Sequence, residues 1–193
     1  MAKECWRGGA LIAPVAPVMV SCGSLKKANV LTVAWTGITC TNPPKTYISV
    51  RPSRYSYNLI KKSGEFVINL TPSQLVRTCD FAGVRSGKDI DKFKALHLTA
   101  EPATQISAPM IKECPVSLEC KVTDIIPLGS HDMFLADILA VNVDKKYINE
   151  NGKLNLSKAG LLAYAHGEYF TLGKRVGSFG FSVRKKRNKT SKK

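Results

Sequence analysis

The chain has 193 residues, 44% apolar and 22% charged, the balance of a globular domain with a sizeable core, which excludes a disordered chain. Lysine and arginine number 29 against 14 acids, a net charge of +15, and seven of those cations, with no acid, crowd into residues 184–193. The remaining body, at +8, favours anionic ligands such as phosphates by long-range attraction, while the terminal run reads first as a solvated tail, with nucleic acid or a membrane surface as the alternatives.

In chain order, Lys3 and Arg7 precede an apolar run from Ala10 to Val20 that has the outline of an export leader. Pro14 and Pro17 would break the helix such a leader needs, so Val18 to Cys22 is predicted as a strand closed by the turn Gly23-Ser24, in a cytoplasmic protein. The stretch from Asn29 to Pro44 is apolar, then rich in Thr and Gly, then ended by Pro43-Pro44. Its small residues would let backbone approach a flat ligand, although composition alone favours a core strand running into a loop. Thr46 to Val50 and Phe66 to Leu70 are short strands rich in β-branched and aromatic residues. Between them Ser53 is placed to cap a helix from Arg54 to Lys62, with Gly64 just past its end. Ser73 is expected to cap a second helix through Phe81, stopped by Gly83, and Asp89 to Leu96 adds a short third. Val116 to Thr123 alternates apolar and polar residues, the pattern of a sheet with one wet face. A turn at Gly129-Ser130 leads into a second, more fully buried strand from Met133 to Val143, completing a long antiparallel hairpin. Strands dominate and helices sit irregularly between them, which predicts a mainly β fold: an antiparallel β-barrel with helical insertions, not a doubly wound α/β sheet.

Several motifs are absent. No G-x-G-x-x-G follows a strand, no G-x-S-x-G elbow and no H-E-x-x-H occur, and Gly83 to Lys88 is one residue short of a P-loop. The six cysteines are scattered, without a C-x-x-C pair or zinc-ligand spacing, so reduced, mostly buried thiols are expected. One segment carries clear chemistry, Ser49 to Tyr57. A strand ends at Val50, Pro52-Ser53 turn the chain, and the N–H groups of a new helix face whatever lies before it, an arrangement that attracts phosphate. Arg51 and Arg54 add charge-assisted bonds there, and Ser53, Tyr55 and Ser56 add hydroxyls.

Taken together, these segments resemble the flavin-reductase-like family with the FMN-binding split-barrel fold, a Greek-key antiparallel barrel, and most of all its flavoredoxin-type members. The resemblance runs through Pro17 to Gly23, Asn29 to Pro44, Ser49 to Arg51 with Tyr55 to Asn58, Phe66 to Asn69 and Asp80 to Gly83. It continues through Ser86 to Phe93, Pro115 to Cys120, Gly129 to Ile138, Glu168 to Phe170 and Leu172-Gly173. It spans residues 8–183, taken as one domain; the basic extension 184–193 has no place in the pattern.

The resemblance implies a homodimer with FMN near the subunit interface and NADH or NADPH as electron donor. Carried over by position, Arg51, Ser53, Tyr55 and Ser56 hold the phosphate, and Trp35, Thr36, Gly37 and Cys40 lie beside the ring. Asn69, Phe81, Lys88 and Tyr169 are further expected contacts. His131 faces the side where a nicotinamide docks, although it could equally cap a hairpin turn; Cys40 is the other candidate for catalytic chemistry, but reads more as packing than as redox-active. The favoured function is a flavin reductase. The alternative is a flavoredoxin-type carrier with tightly held FMN and an acidic protein redox partner. Nucleic-acid binding through the tail ranks last, for want of any motif.

Overall fold

A computed structural model describes residues 2–184; apart from Arg184, the basic tail lies outside the described residues. Strand β1 (Val18–Ser24) turns into β2 (Lys27–Val33), and β3 (Thr36–Thr41) turns into β4 (Pro44–Val50). Helix α1 (Tyr55–Ser63) leads to β5 (Glu65–Leu70), and a 3-10 turn precedes α2 (Val76–Val84) and the short α3 (Lys92–Ala95). The two-residue strands β6 (Ala100–Glu101) and β7 (Met110–Ile111) precede the long hairpin of β8 (Val116–Pro127) and β9 (Asp132–Val143). A final hairpin, β10 (Leu162–Ala165) and β11 (Glu168–Thr171), lies beyond.

Seven strands form one antiparallel sheet in the order β2-β1-β5-β8-β9-β4-β3. Consecutive β2 and β3 thus stand at opposite ends of the sheet, and the chain steps from one end to the other through Ala34 and Trp35. That step curls the sheet into a Greek-key barrel and leaves a seam; at its edge the β3–β4 ladder runs one pair further, to the bond from Ser49 N–H to Trp35 O at 2.9 Å. Two irregularities in the β8–β9 ladder, at Glu119/Cys120 and Val122/Asp124, bend the long hairpin around the barrel. No helix among the described residues is long and apolar enough to cross a membrane.

β1 has buried residues on both faces, which is why its sequence is a continuous apolar run. One face, Val18, Val20 and Cys22, joins Ile48, Phe66 and Phe134 in the barrel interior, where Tyr57 and Ile60 of α1 fill the remaining space. The other face packs through Met19 onto a second core built from Cys79 and Ala82 of α2, Phe93 of α3 and Leu162 of β10.

Four local expectations need correcting. Helix α1 begins one residue later than expected, with Arg54 as its N-cap and no side-chain cap; Gly64 closes it in the left-handed region at φ 68°. Gly83 does not stop the second helix but lies inside it, because a Cβ there would sit 3.2 Å from Thr32 Cβ and hold α2 off β2. The supposed wet face of the 116–123 strand is covered: Ser117 and Glu119 are buried. The Glu119 carboxylate accepts bonds from Thr104 N–H (2.8 Å), Gln105 N–H (2.7 Å) and Asn142 Nδ2 (2.7 Å), so the loop after β6 is clamped over it. On β9 the apolar run is buried at Phe134 and Ala136, whereas Leu139 and Val141 are exposed.

Candidate functional site

Two cavities meet beneath the seam and share Leu31, Thr32, Arg51, Arg54 and Gly83. The first, about 210 Å³, is an anion cradle at the start of α1. β4 ends at Val50, and the turn that follows is fixed by Arg54 N–H donating to Arg51 O at 2.9 Å. The first turn of α1 has no side-chain cap and no acidic residue, so its N–H groups and positive dipole end stay available to an anion. Arg51, Arg54 and Arg85 supply guanidinium groups around it, and Ser53 and Ser86 supply hydroxyls. Ser56 lines the cradle too, but it is buried and its hydroxyl accepts a bond from Asn29 Nδ2 at 2.6 Å.

The deepest cation of the cradle is Lys92, only 3% exposed. Its ammonium donates to Val30 O (2.8 Å) and Ala82 O (2.6 Å) and forms no salt bridge among the described residues. Burial, with Arg54 nearby, lowers its pKa to about 8. A buried ammonium with one donor to spare and three arginines around the same space is a site short of negative charge. A phosphate monoester fits that shortage in charge, size and acceptor number.

The second cavity, about 240 Å³, is the groove proper. Its floor is Thr32, Val33, Ala34 and Trp35, the stretch where the chain leaves β2 for the seam and its backbone groups are not all consumed by a ladder. His131, Tyr164 and Tyr169 also line it, the two tyrosine rings edge-on with centroids 5.3 Å apart. Tyr169 donates to Asp80 Oδ1 at 3.3 Å, and burial, with Cys79 and Asp80 beside it, pushes its phenol pKa up. Burial and the charges of Arg51 and Arg54 hold His131 below the usual imidazole value, so it is neutral at pH 7. Its Nδ1 lies 2.9 Å from Ser130 Oγ.

The structure therefore brings together Trp35, Arg51, Ser53, Tyr55, Ser56, His131 and Tyr169. Thr36 lies one step away, in a shallow apolar recess of about 290 Å³ that shares Ala34, Trp35 and Ser49 with the groove; its hydroxyl donates to Tyr47 O at 2.6 Å. Gly37 is beside that recess, packed so close to Tyr47 that a Cβ would meet the ring at 3.2 Å. Lys88 is exposed in an adjoining cavity that shares Tyr55, Gly87 and Lys92 with the cradle.

Three expected contacts are not brought to the groove. Cys40 is half-buried on β3, paired across to Lys45, and lines neither cavity. Phe81 is half-buried on α2 and also lines neither. Asn69 is fully enclosed in the outer core: its Nδ2 donates to Met19 O (3.0 Å) and Ser21 Oγ (2.9 Å). Its Oδ1 accepts from Ile111 N–H (3.0 Å) and Ser117 Oγ (2.8 Å), so it ties four strands together and has no atom left for a ligand. Conversely, Lys92, Arg85, Ser86 and Tyr164 line the site without having been singled out. Their signal is tertiary: a lysine in a four-residue helix looks solvated until that helix docks on β2.

Residues 11–173 match the flavin reductase like domain family. Among solved structures, the chain is similar to the flavoredoxin of Desulfovibrio vulgaris, with a TM-score of 0.88 and 28% identity over 95% of this chain and 100% of that one. It is similar also to the flavoredoxin from Methanosarcina acetivorans, with a TM-score of 0.85 and 26% identity over the same shares. Among curated relatives, an NADPH-flavin oxidoreductase of Streptomyces viridifaciens is 26% identical over 146 residues, 74% of each chain.

Proposed function

Because the chain belongs to the flavin reductase like domain family, we propose that it binds FMN in the groove and cradle and reduces it with NADH or NADPH. The observation that carries the FMN assignment is the cradle. An uncapped helix start, three arginines and the buried, acid-free Lys92 converge on one cavity at the end of a flat groove. The phosphate would sit at the α1 start, and the ring system along Thr32 to Trp35. When bound, the flavin supplies the hydride and electron chemistry; the chain supplies position and electrostatics. Backbone N–H groups near the seam would stabilise negative charge at the ring edge, as an anion hole does. His131, neutral at pH 7, would orient the nicotinamide or pass a proton across the open face. We assign no role to Cys40, which reaches neither cavity.

We further propose that a second copy of the chain covers the open side of the groove, where Ile12, Trp35 and Ile38 are exposed. The likeness to two flavoredoxins, each matched over its whole length, supports a second reading: a carrier that keeps its FMN and takes electrons from an acidic protein partner drawn to the +8 body. One set of measurements separates these readings. Wild-type protein should take up FMN with an absorbance change and bind riboflavin at least ~100-fold more weakly, since two lost charge-assisted bonds are worth roughly 3 kcal/mol or more. Arg51→Gln should remove much of that difference. Bleaching within seconds of anaerobic NADH or NADPH supports the reductase; bleaching only with a reduced iron–sulfur protein supports the carrier. Failure to take up FMN overturns both.

A further inference from the structure

Arg51 and His131 meet because of strand register. β4 and β9 pair with Val50 opposite Asp132, so the next residues outward, Arg51 and His131, stand across from each other at the groove. The corner is fastened by one contact outside the ladder. Tyr57 of α1 donates its phenol to Asp132 Oδ2 at 2.5 Å. Its ring is buried and packs edge-on against Phe134 at 5.3 Å between centroids. The phenol thus joins the helix whose first turn forms the cradle to the strand that carries His131.

We propose that Tyr57 and Asp132 are positioning residues, a strut that holds His131 beside Arg51 and Arg54 and over the groove. Their part in turnover rests on the reading of the groove as a flavin and nicotinamide site; the strut itself does not. Four considerations assign the phenol this task. It is buried beside the groove without lining either cavity. It is the third residue of α1, whose preceding turn presents Arg51 and Arg54. Its partner is the residue next to His131. And the bonds within the hairpin turn, Leu128 N–H to His131 O at 2.9 Å and Ser130 Oγ with His131 Nδ1 at 2.9 Å, hold the turn to itself without anchoring it to the helix.

The titratable and charged groups that share the groove with His131 are Arg51 from the end of β4, Arg54 from the start of α1, and Tyr164 and Tyr169 from the β10–β11 hairpin; the two arginines act on its charge. Ser130 and Asp132 flank it in the chain. The two arginines help to keep the ring neutral only while it stays beside them. A His131 released from the strut moves toward solvent, and its titration midpoint climbs toward the ordinary ~6.5.

The test is the His131 titration in the full-length, flavin-free protein, followed by NMR of the imidazole C2 proton and identified with a His131→Asn variant. Tyr57→Phe keeps the ring and its packing and removes the hydroxyl. It should raise the midpoint, leave FMN affinity within about twofold, and lower turnover with NADH or NADPH roughly tenfold through misplacement alone. Asp132→Ala supplies a test of sign. Deleting a neighbouring negative charge would by itself lower the His131 midpoint, whereas release of the strut raises it. An unchanged midpoint in Tyr57→Phe, with only a lower melting temperature, overturns the proposal, as does a downward shift in Asp132→Ala. Failure to bind FMN overturns the flavin reading and the part in turnover, while the midpoints still decide the strut.

Discussion

Replacing Asn69 with alanine separates the two roles this residue can have. Its amide is fully enclosed and serves Met19, Ser21, Ile111 and Ser117, residues drawn from β1, β7 and β8. Alanine leaves the Ile111 N–H and the Ser117 hydroxyl without their acceptor, inside a core that water does not reach. Each orphaned group costs about 1–3 kcal/mol, so the variant should lose about 4 kcal/mol of stability. With a urea m-value of about 2 kcal/mol per molar, typical of a domain this size, the unfolding midpoint should fall by about 2 M. The assay is urea denaturation followed by far-UV circular dichroism, paired with an FMN titration of the folded variant at low urea. FMN affinity should stay within about twofold, because no atom of Asn69 reaches the groove or cradle. A midpoint shift under ~0.5 M, together with a tenfold loss of FMN affinity, would refute the reasoning and return Asn69 to the binding site.

Lys92→Met keeps most of the side-chain volume and removes the buried charge; it should weaken FMN by roughly 10- to 100-fold at pH 7. Wild-type affinity should fall as pH rises above about 8, where the free protein's ammonium loses the proton that bound phosphate would retain, and the variant's should stay flat over that range. Fluorescence titration between pH 6.5 and 9.5 reads both. At Glu119, burial pushes the carboxyl pKa up, but bonds from Thr104, Gln105 and Asn142 outweigh it and hold the group below the usual range. That contribution to stability is present above the unfolded value of ~4.3 and is lost as pH falls through the lower folded value. Glu119→Gln turns an –NH₂ toward donors and should cost about 2–4 kcal/mol at pH 7. The gap between variant and wild type should narrow in thermal melts taken below pH 4. A gap that persists unchanged at pH 3 would refute the account.

What the sequence disclosed follows from how local each signal is. The hairpin of β8 and β9, the left-handed Gly64 and the helix start after Val50 were legible, since alternation, turn chemistry and capping act within a few residues. The wet face assigned to Ser117 and Glu119 failed because what covers it, the loop at Thr104 and Gln105, is brought there by the tertiary fold. Gly83 carried the chemistry of a helix stop, yet its task is to let α2 approach Thr32, a contact 51 positions away in the chain. Asn69 was expected at the ligand only because the family resemblance carried it there by position, and position in a motif does not show which way a strand residue faces. Lys92 lay inside the Ser86 to Phe93 stretch of the resemblance but was given no role: its place in the cradle depends on α3 docking against β2, which no local pattern records.

The seam between β2 and β4 bears on how the protein stiffens. A closed barrel resists deformation through an unbroken hoop of ladder bonds, and here the hoop is interrupted where the chain steps through Ala34 and Trp35. A molecule seated in the groove would touch both lips of that gap, Thr32 to Trp35 on one side and Ser49 to Arg51 on the other, and would act as a clasp. Filling the groove should therefore slow amide exchange at Ser49, whose bond to Trp35 ends the β3–β4 ladder at the lip of the gap, and along the neighbouring backbone. Exchange at Ile48 and Phe134, in the barrel interior, should scarcely change.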